Sequence, residues 1–310
     1  MPCYLGVDTS NYTTSLSFFD SEKGEVIQRK KLLPVAKGQL GLRQADAVFH
    51  HTVQLPELFE LLKNDCDLSA VSAVGVSDRP CGDEGSYMPC FLAGISAATA
   101  FCAVNNLPLF RFTHQQGHIA AALFSAGKLD LLSEKFIAFH VSGGTTQALL
   151  VEPDGENICK TRLIASSLDL KAGQAVDRVG VMLGLDFPAG KELDKLACLC
   201  NEKIKVRPVM RGCDCSLSGV ENKCKKMLDD GESKEKIARF CIEYICASLD
   251  GMAKALLEEY GKLPLVFSGG VMSNSIISKR LGEKYGAFFA APDFSCDNAA
   301  GTAILTSMRN

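Results

Sequence analysis

Two apolar runs in this chain each lead straight into the same three-residue turn, and that repetition limits the possible folds more than any other feature. Phe136-Ile-Ala-Phe-His-Val141 ends in Ser142-Gly143-Gly144, and Leu263-Pro-Leu-Val-Phe267 ends in Ser268-Gly269-Gly270. Short apolar runs bounded by glycines predict buried strands. Paired glycines let the backbone turn sharply and present successive N–H groups at close range, a nest that favours anions and phosphate above all. The N-terminus offers a third such turn, where Tyr4-Leu-Gly-Val-Asp8 runs into Thr9-Ser10-Asn11-Tyr12-Thr13-Thr14 ahead of a strand at 15–19. A single Ser-Gly-Gly is ordinary loop punctuation. Two copies at matching strand ends predict two lobes holding one nucleotide.

The rest of the pattern points to duplication. Strands are predicted at 4–8, 13–19 and 25–32, then a helix over 47–63, a strand at 71–76, a helix over 92–105 and a strand at 108–112. From Phe136 the pattern restarts, with strands at 136–141, 145–151 and 157–164 and helices over 171–184 and 189–200. A long helix over 235–260 carries Ile237, Cys241, Ile245, Met252 and Leu256 at helical spacing. A strand at 263–267, a helix over 273–285 and a terminal helix from 298 complete the chain. Three strands followed by alternating helices and strands, twice over, read as a duplicated α/β lobe. The expected division is 1–112 for the first lobe and 113–297 for the second, with the terminal helix packing back on the first.

Composition removes several classes of function. With 310 residues, 47% hydrophobic and 22% charged, the chain is an ordinary globular sequence long enough for two cores. No run is long and apolar enough to span a bilayer, and Met-Pro-Cys-Tyr lacks a basic leader, so no membrane partner and no signal peptide are expected. The 14 cysteines sit in apolar runs such as Phe101-Cys102-Ala103, as free core thiols do in a reducing compartment. A cytoplasmic protein follows from that usage. Cys198-Leu-Cys200 and Cys213-Asp-Cys215 have a spacing that signals metal only weakly. A net charge of −3 argues against an autonomous nucleic-acid binder. Lys203, Lys205, Arg207, Arg211, Lys223, Lys225 and Lys226 form one local exception, read either as a solvated face or as a phosphate contact within a larger assembly.

Two of the five histidines, His114 and His118, follow Thr113, and Gln116 completes a capping-box pattern ahead of Ile119-Ala-Ala-Ala-Leu-Phe124. Residues at i and i+4 share a helix face, so both imidazoles can reach one metal ion. The positive end of the helix dipole disfavours imidazolium and keeps the rings neutral, as ligation requires. A pair of capping or surface histidines is the competing reading. Gln115 stands where a zincin protease needs its glutamate base, and an amide cannot take a proton from water, so a zincin mechanism fails at its base and a protease is the last of the alternatives. Asp297-Asn298 supplies either a completing carboxylate or the N-cap of the last helix.

With these residues in place the chain resembles the tRNA threonylcarbamoyladenosine synthase family, TsaD or Gcp, over nearly its whole length. The resemblance rests on Gly6-Val-Asp-Thr-Ser10, His114-Gln-Gln-Gly-His118, Val141-Ser-Gly-Gly144 and Ala172-Gly-Gln-Ala-Val-Asp177. It continues through Pro188-Ala-Gly190 with Asp194, Ser216-Leu-Ser-Gly219, Ser268-Gly-Gly-Val-Met-Ser-Asn274 and Asp297-Asn298. It implies an α/β fold of the actin/Hsp70/sugar-kinase class, with a nucleotide cleft between duplicated lobes. It also implies transfer of threonylcarbamoyl from threonylcarbamoyl-AMP to N6 of the adenosine beside the tRNA anticodon. By position, His114, His118 and Asp297 resemble ligands of one divalent metal, iron or zinc. Val141, Ser142, Gly143, Gly144 and Thr145, with Asp177, Gly190, Asp194 and Asn274, resemble the pocket for an adenine nucleotide, threonylcarbamoyl-AMP or ATP. The implied partners are tRNA within a complex, an adenylate-forming protein and a scaffold protein.

The departures from the family pattern remove acids. Tyr12 and Thr13 replace an acidic pair, Gln116 and Gln174 each replace a Glu, and Thr145 replaces a His. Amides and hydroxyls in those places can hydrogen-bond but do not take up or release a proton at neutral pH. The expected function is therefore a metal-assisted acyltransferase acting on tRNA. The alternatives are a non-catalytic nucleotide-binding paralogue that scaffolds an authentic synthase and a sugar kinase of the same fold.

Overall fold

The computed structural model describes residues 2–10, 12–34, 42–296 and 299–310. The chain begins with β1 (Cys3–Asp8), β2 (Thr13–Asp20), β3 (Glu25–Leu32), α1 (Gln44–Asp65), β4 (Val71–Arg79), α2 (Phe91–Asn105), β5 (Leu109–Thr113) and α3 (His114–Ser125). It continues through β6 (Phe136–Val141), β7 (Thr146–Asp154), β8 (Ile158–Ser166), α4 (Ala172–Met182), α5 (Gly190–Leu199), β9 (Val209–Arg211), β10 (Asp214–Ser216), α6 (Ser218–Asp229) and α7 (Lys234–Tyr260). It closes with β11 (Leu265–Ser268), α8 (Ser275–Tyr285), β12 (Phe288–Phe289), α9 (Pro292–Ser295) and α10 (Ala300–Arg309).

The two principal sheets have one topology. The first runs β3-β2-β1-β4-β5 and the second β8-β7-β6-β11-β12. In the first, β1 pairs antiparallel with β2 and parallel with β4. In the second, β6 pairs antiparallel with β7 and parallel with β11. The restart at Phe136 is thus a structural repeat. β1 and β2 are buried throughout because both faces are covered. Leu5, Val7, Leu16 and Phe18 meet Leu55, Leu58 and Leu62 of α1 and Ala98 of α2. Tyr4, Phe19 and Ala73, on the opposite face by strand alternation, meet Ala303 and Ile304 of α10.

The chain divides into two compact units, one of Met1–Glu134, Glu152–Thr161 and Asp293–Asn310, the other of Lys135–Val151 and Arg162–Pro292. The division expected at 112/113 therefore lies at 134/135, and residues 113–134 belong with the first unit. The cause is the crossing of α3 on α10, where a Cβ on Gly301 would lie 1.8 Å from the carbonyl oxygen of Gly117. Only glycine lets two helix backbones approach that closely. A buried polar group sits in the same unit, where Thr14 Oγ1 donates to Gln54 Oε1 at 2.6 Å and lies 2.8 Å from His51 Nδ1. In the second unit α7 is the central helix, and Ile237, Cys241, Ile245, Met252 and Leu256 are all fully buried in its core.

Among the described residues no disulfide joins the cysteines. At the two CxC pairs one thiol points out and its partner in, with Cys198 exposed and Cys200 buried, Cys213 half-buried and Cys215 buried. Neither pair is arranged as a chelate. Among the described residues no helix is long and apolar enough to cross a membrane.

Candidate functional site

In the first unit α3 starts directly from β5, and the predicted capping box is formed. Thr113 Oγ1 accepts from the Gln116 N–H at 3.1 Å, and Gln116 Oε1 accepts from the Thr113 N–H at 2.8 Å. His114 and His118 are thereby stacked one turn apart, with ring centroids 4.3 Å from each other. Their Nε2 atoms converge to 2.9 Å. The other nitrogen of His114, Nδ1, lies 2.8 Å from Oδ2 of Asp8, the last residue of β1. Asp8 also accepts from the Ser77 hydroxyl at 2.8 Å and from the Ser10 N–H at 2.7 Å. Burial pushes the Asp8 carboxyl up, but the His114 charge and the hydrogen bonds from His114, Ser10 and Ser77 outweigh it and hold the group below its ordinary value. When His114 is neutral, the ionised Asp8 favours its proton on Nδ1, which leaves the Nε2 lone pair facing His118. This carboxylate–imidazole arrangement is typical behind a metal-binding nitrogen.

Asp8 is the functional candidate that sequence reasoning missed, since 106 positions separate it from His114. Asp297, expected as the third ligand, lies outside the described residues. Among the described residues no set of three or more His, Cys, Asp or Glu side chains is placed to hold a metal ion. The two converging nitrogens with an orienting carboxylate fit part of such a site.

The amide of Gln116 has a definite task. Besides capping α3, its Nε2 donates to the carbonyls of Asn157 at 3.0 Å and Cys159 at 2.7 Å, near the turn that joins β7 to β8. A carboxylate has no proton for either bond. Gln115 accepts from the Thr161 hydroxyl at 2.6 Å on the same segment. Gln174, the other Gln in place of a Glu, caps α4 by accepting from the Lys171 N–H at 3.4 Å.

In the second unit the turn after β6 closes on itself. The Ser142 N–H donates to the Thr145 carbonyl at 2.7 Å, and the Thr145 N–H to the Ser142 hydroxyl at 3.1 Å. The N-terminus of α4 abuts this turn, with the Gly173 N–H donating to the Ser142 carbonyl at 3.1 Å. Gly143 and Gly144 are exposed, and a Cβ on either would meet nothing within 4 Å. The turn is thus an open concavity of backbone beside a helix N-terminus, suited to phosphate.

The four other pocket candidates fall into two pairs. Asp177 Oδ1 accepts from the Ala189 N–H at 2.9 Å, which ties α4 to the start of α5 at Gly190. Burial raises the Asp177 carboxyl above its ordinary value, and the Ala189 bond only partly offsets this. Asp194 and Asn274 are brought together, as Asn274 Nδ2 donates to Asp194 Oδ1 at 2.8 Å. Asn274 Oδ1 caps α8 through the Ile276 and Ile277 N–H groups, both at 3.1 Å, and Asp194 Oδ2 accepts from the Ser275 N–H at 3.1 Å. This pair holds the α8 N-terminus in place and leaves the Asp194 carboxylate part-exposed.

The repeated sheet order, with helices on the strands of both units, defines the class as actin/Hsp70/sugar-kinase-like. Solved structures of that class share the fold at low identity. Component A of the Acidaminococcus fermentans (R)-2-hydroxyglutaryl-CoA dehydratase matches with a TM-score of 0.57 and 13% identity, over 100% of this chain and 99% of its own. HypF of T. kodakarensis matches with a TM-score of 0.61 and 12% identity, over 99% of this chain and 47% of HypF, so the chain spans about half of that protein. A ROK family glucokinase from Streptomyces griseus, solved with glucose and AMPPNP, matches with a TM-score of 0.51 and 13% identity, over 99% of each chain. The family is narrower than the fold. The model of TsaD, tRNA N6-adenosine threonylcarbamoyltransferase, matches residues 36–304, and the chain belongs to that family of transferases.

Proposed function

We propose that the protein transfers threonylcarbamoyl from threonylcarbamoyl-AMP to N6 of the adenosine beside the tRNA anticodon. The observation that carries this reading is the His114–His118 pair, with Nε2 atoms 2.9 Å apart and Asp8 behind His114. A sugar kinase of the same fold has no use for it. In this reading the Gly143 and Gly144 N–H groups, beside the positive end of α4, bind the adenylate phosphate. Asp177 and Asp194 accept hydrogen bonds from ribose or threonyl hydroxyls, and Asn274 fixes the Asp194 carboxylate. His114 and His118, with Asp297 as the expected carboxylate, would hold one divalent ion, and this donor set suits iron and zinc equally. When bound, such an ion would supply Lewis-acid polarisation of a substrate oxygen. Asp8 keeps His114 in the tautomer that ligation needs. N6 of adenosine then attacks the carbamoyl carbon and gives up one proton to solvent, and AMP departs with the electrons of the broken C–O bond.

A scaffold role for a non-catalytic paralogue is favoured by one observation: Gln116 and Gln174 spend their amides on helix caps and backbone carbonyls. The readings separate in vivo. Mass spectrometry of tRNA nucleosides from cells with and without this protein should show loss of threonylcarbamoyladenosine from the transfer reaction's tRNAs. An unchanged level in the deletion, with an authentic synthase present, favours the scaffold.

A further inference from the structure

We propose that residues 203–211, together with Lys223, Lys225 and Lys226 of α6, form a binding stripe for the phosphate backbone of RNA. Exposure alternates at every residue of this segment. Lys203, Lys205, Arg207, Val209 and Arg211 are exposed, whereas Ile204, Val206, Pro208 and Met210 are half-buried. Val206 and Met210 pack against the core of the second unit. Met210 is fixed against α7, where a Cβ on Gly251 would lie 2.8 Å from its sulfur. Residues 209–211 are locked by pairing with β10. One side of the segment is thus anchored, and the other carries Lys203, Lys205, Arg207 and Arg211, with Val209 between the last two.

Of the α6 lysines, Lys223 adjoins this segment through Tyr244. Lys223 Nζ stands 5.2 Å from the centre of the Tyr244 ring, and the Tyr244 hydroxyl faces the backbone of Val209. Two of the nearby acids are paired elsewhere, Glu202 with Lys236 at 3.3 Å and Glu221 with Arg178 at 2.9 Å, whereas Asp214 stands opposite Arg211 in the β9–β10 ladder. Among the described residues none of the seven cations takes part in an ion pair. Solvated faces of this protein look different, with signs interleaved at helical spacing, as in Lys63–Glu60, Lys195–Glu192 and Lys254–Glu258. The stripe therefore has the single-sign character that counterion release from a polyanion rewards.

The choice of RNA rests on the tRNA-acceptor reading above, whereas the geometry itself asks only for a row of phosphates. The test is fluorescence anisotropy of unmodified tRNA transcript with wild type, the K205A/R207A/R211A variant and a K254A control. Salt is varied between about 50 and 200 mM. Circular dichroism confirms that each variant is folded. Three lost phosphate contacts should flatten the slope of log K against log salt by about 2 and weaken binding about tenfold or more at low salt. K254A should change neither. An unchanged slope and affinity in the triple variant, an equal loss in K254A, or no wild-type binding at the lowest salt would overturn the proposal. Retained tRNA affinity with lost binding of polyglutamate would also overturn it, and would reassign the stripe to an acidic protein. The assay contains no threonine, nucleotide or metal, so failure of the transfer reaction and failure of the stripe are read separately.

Discussion

The two Ser-Gly-Gly turns are identical in sequence and opposite in what they demand of glycine. At 268–270 the fold itself needs Gly269: its φ is +96°, and a Cβ there would lie 2.3 Å from the carbonyl oxygen of Val141. At 142–144 neither glycine has a positive φ, and neither has a neighbour within 4 Å of a built Cβ. The first turn is closed by packing and the second is kept open. A repeated tripeptide therefore marks two strand ends of one topology, but only the open copy has the form of a ligand seat.

Mutations that separate these loads test the comparison. The largest effect is expected for Gly269→Ala, which combines a glycine-only backbone conformation with a clash against backbone, and should cost about 3 kcal/mol or more in urea unfolding. Gln116→Glu comes next. It removes both donors to the Asn157 and Cys159 carbonyls and sets a charge against them, for a loss of about 1–3 kcal/mol measured the same way.

A pH effect follows from Asp169 in the second unit. Burial pushes its carboxyl up, yet hydrogen bonds from Ser216, Ser218 and the Leu217 and Leu170 N–H groups together hold it well below the usual carboxylate range. A depressed folded value means that stability is fully present above the unfolded value of about 3.9 and is lost as pH falls below it. Wild type should lose stability below about pH 4, and Asp169→Asn should be less stable at neutral pH with a flatter acid limb. The smallest stability effect belongs to Gly144→Val, within about 0.5 kcal/mol of wild type. That variant should nonetheless lose the thermal shift given by adenine nucleotides. A large loss of stability in Gly144→Val would erase the difference between the turns.

Local features were legible in the sequence and distant pairings were not. The strands after Phe136 and Leu263, the α3 capping box and the i,i+4 histidines all follow from short-range spacing, and the structure contains each of them. The β9–β10 hairpin has no periodic signal because its strands are only three residues long. The place of α3 in the first unit depends on Gly117 meeting Gly301, and the role of Asp8 on meeting His114. No periodicity connects positions so far apart. Gln116 shows a different limit: its sequence position reads as a lost acid, and only the geometry reveals that an amide is needed.

The central claim is the transfer reaction. Its most direct test is reconstitution with radiolabelled threonine, unmodified tRNA, ATP, bicarbonate, a divalent metal, and adenylate-forming and scaffold partners. The account predicts label in tRNA with wild type and all partners, none with wild type alone, and loss of label with His114→Ala/His118→Ala. No label with a complete set of matched partners, or undiminished label from the double variant, would contradict it.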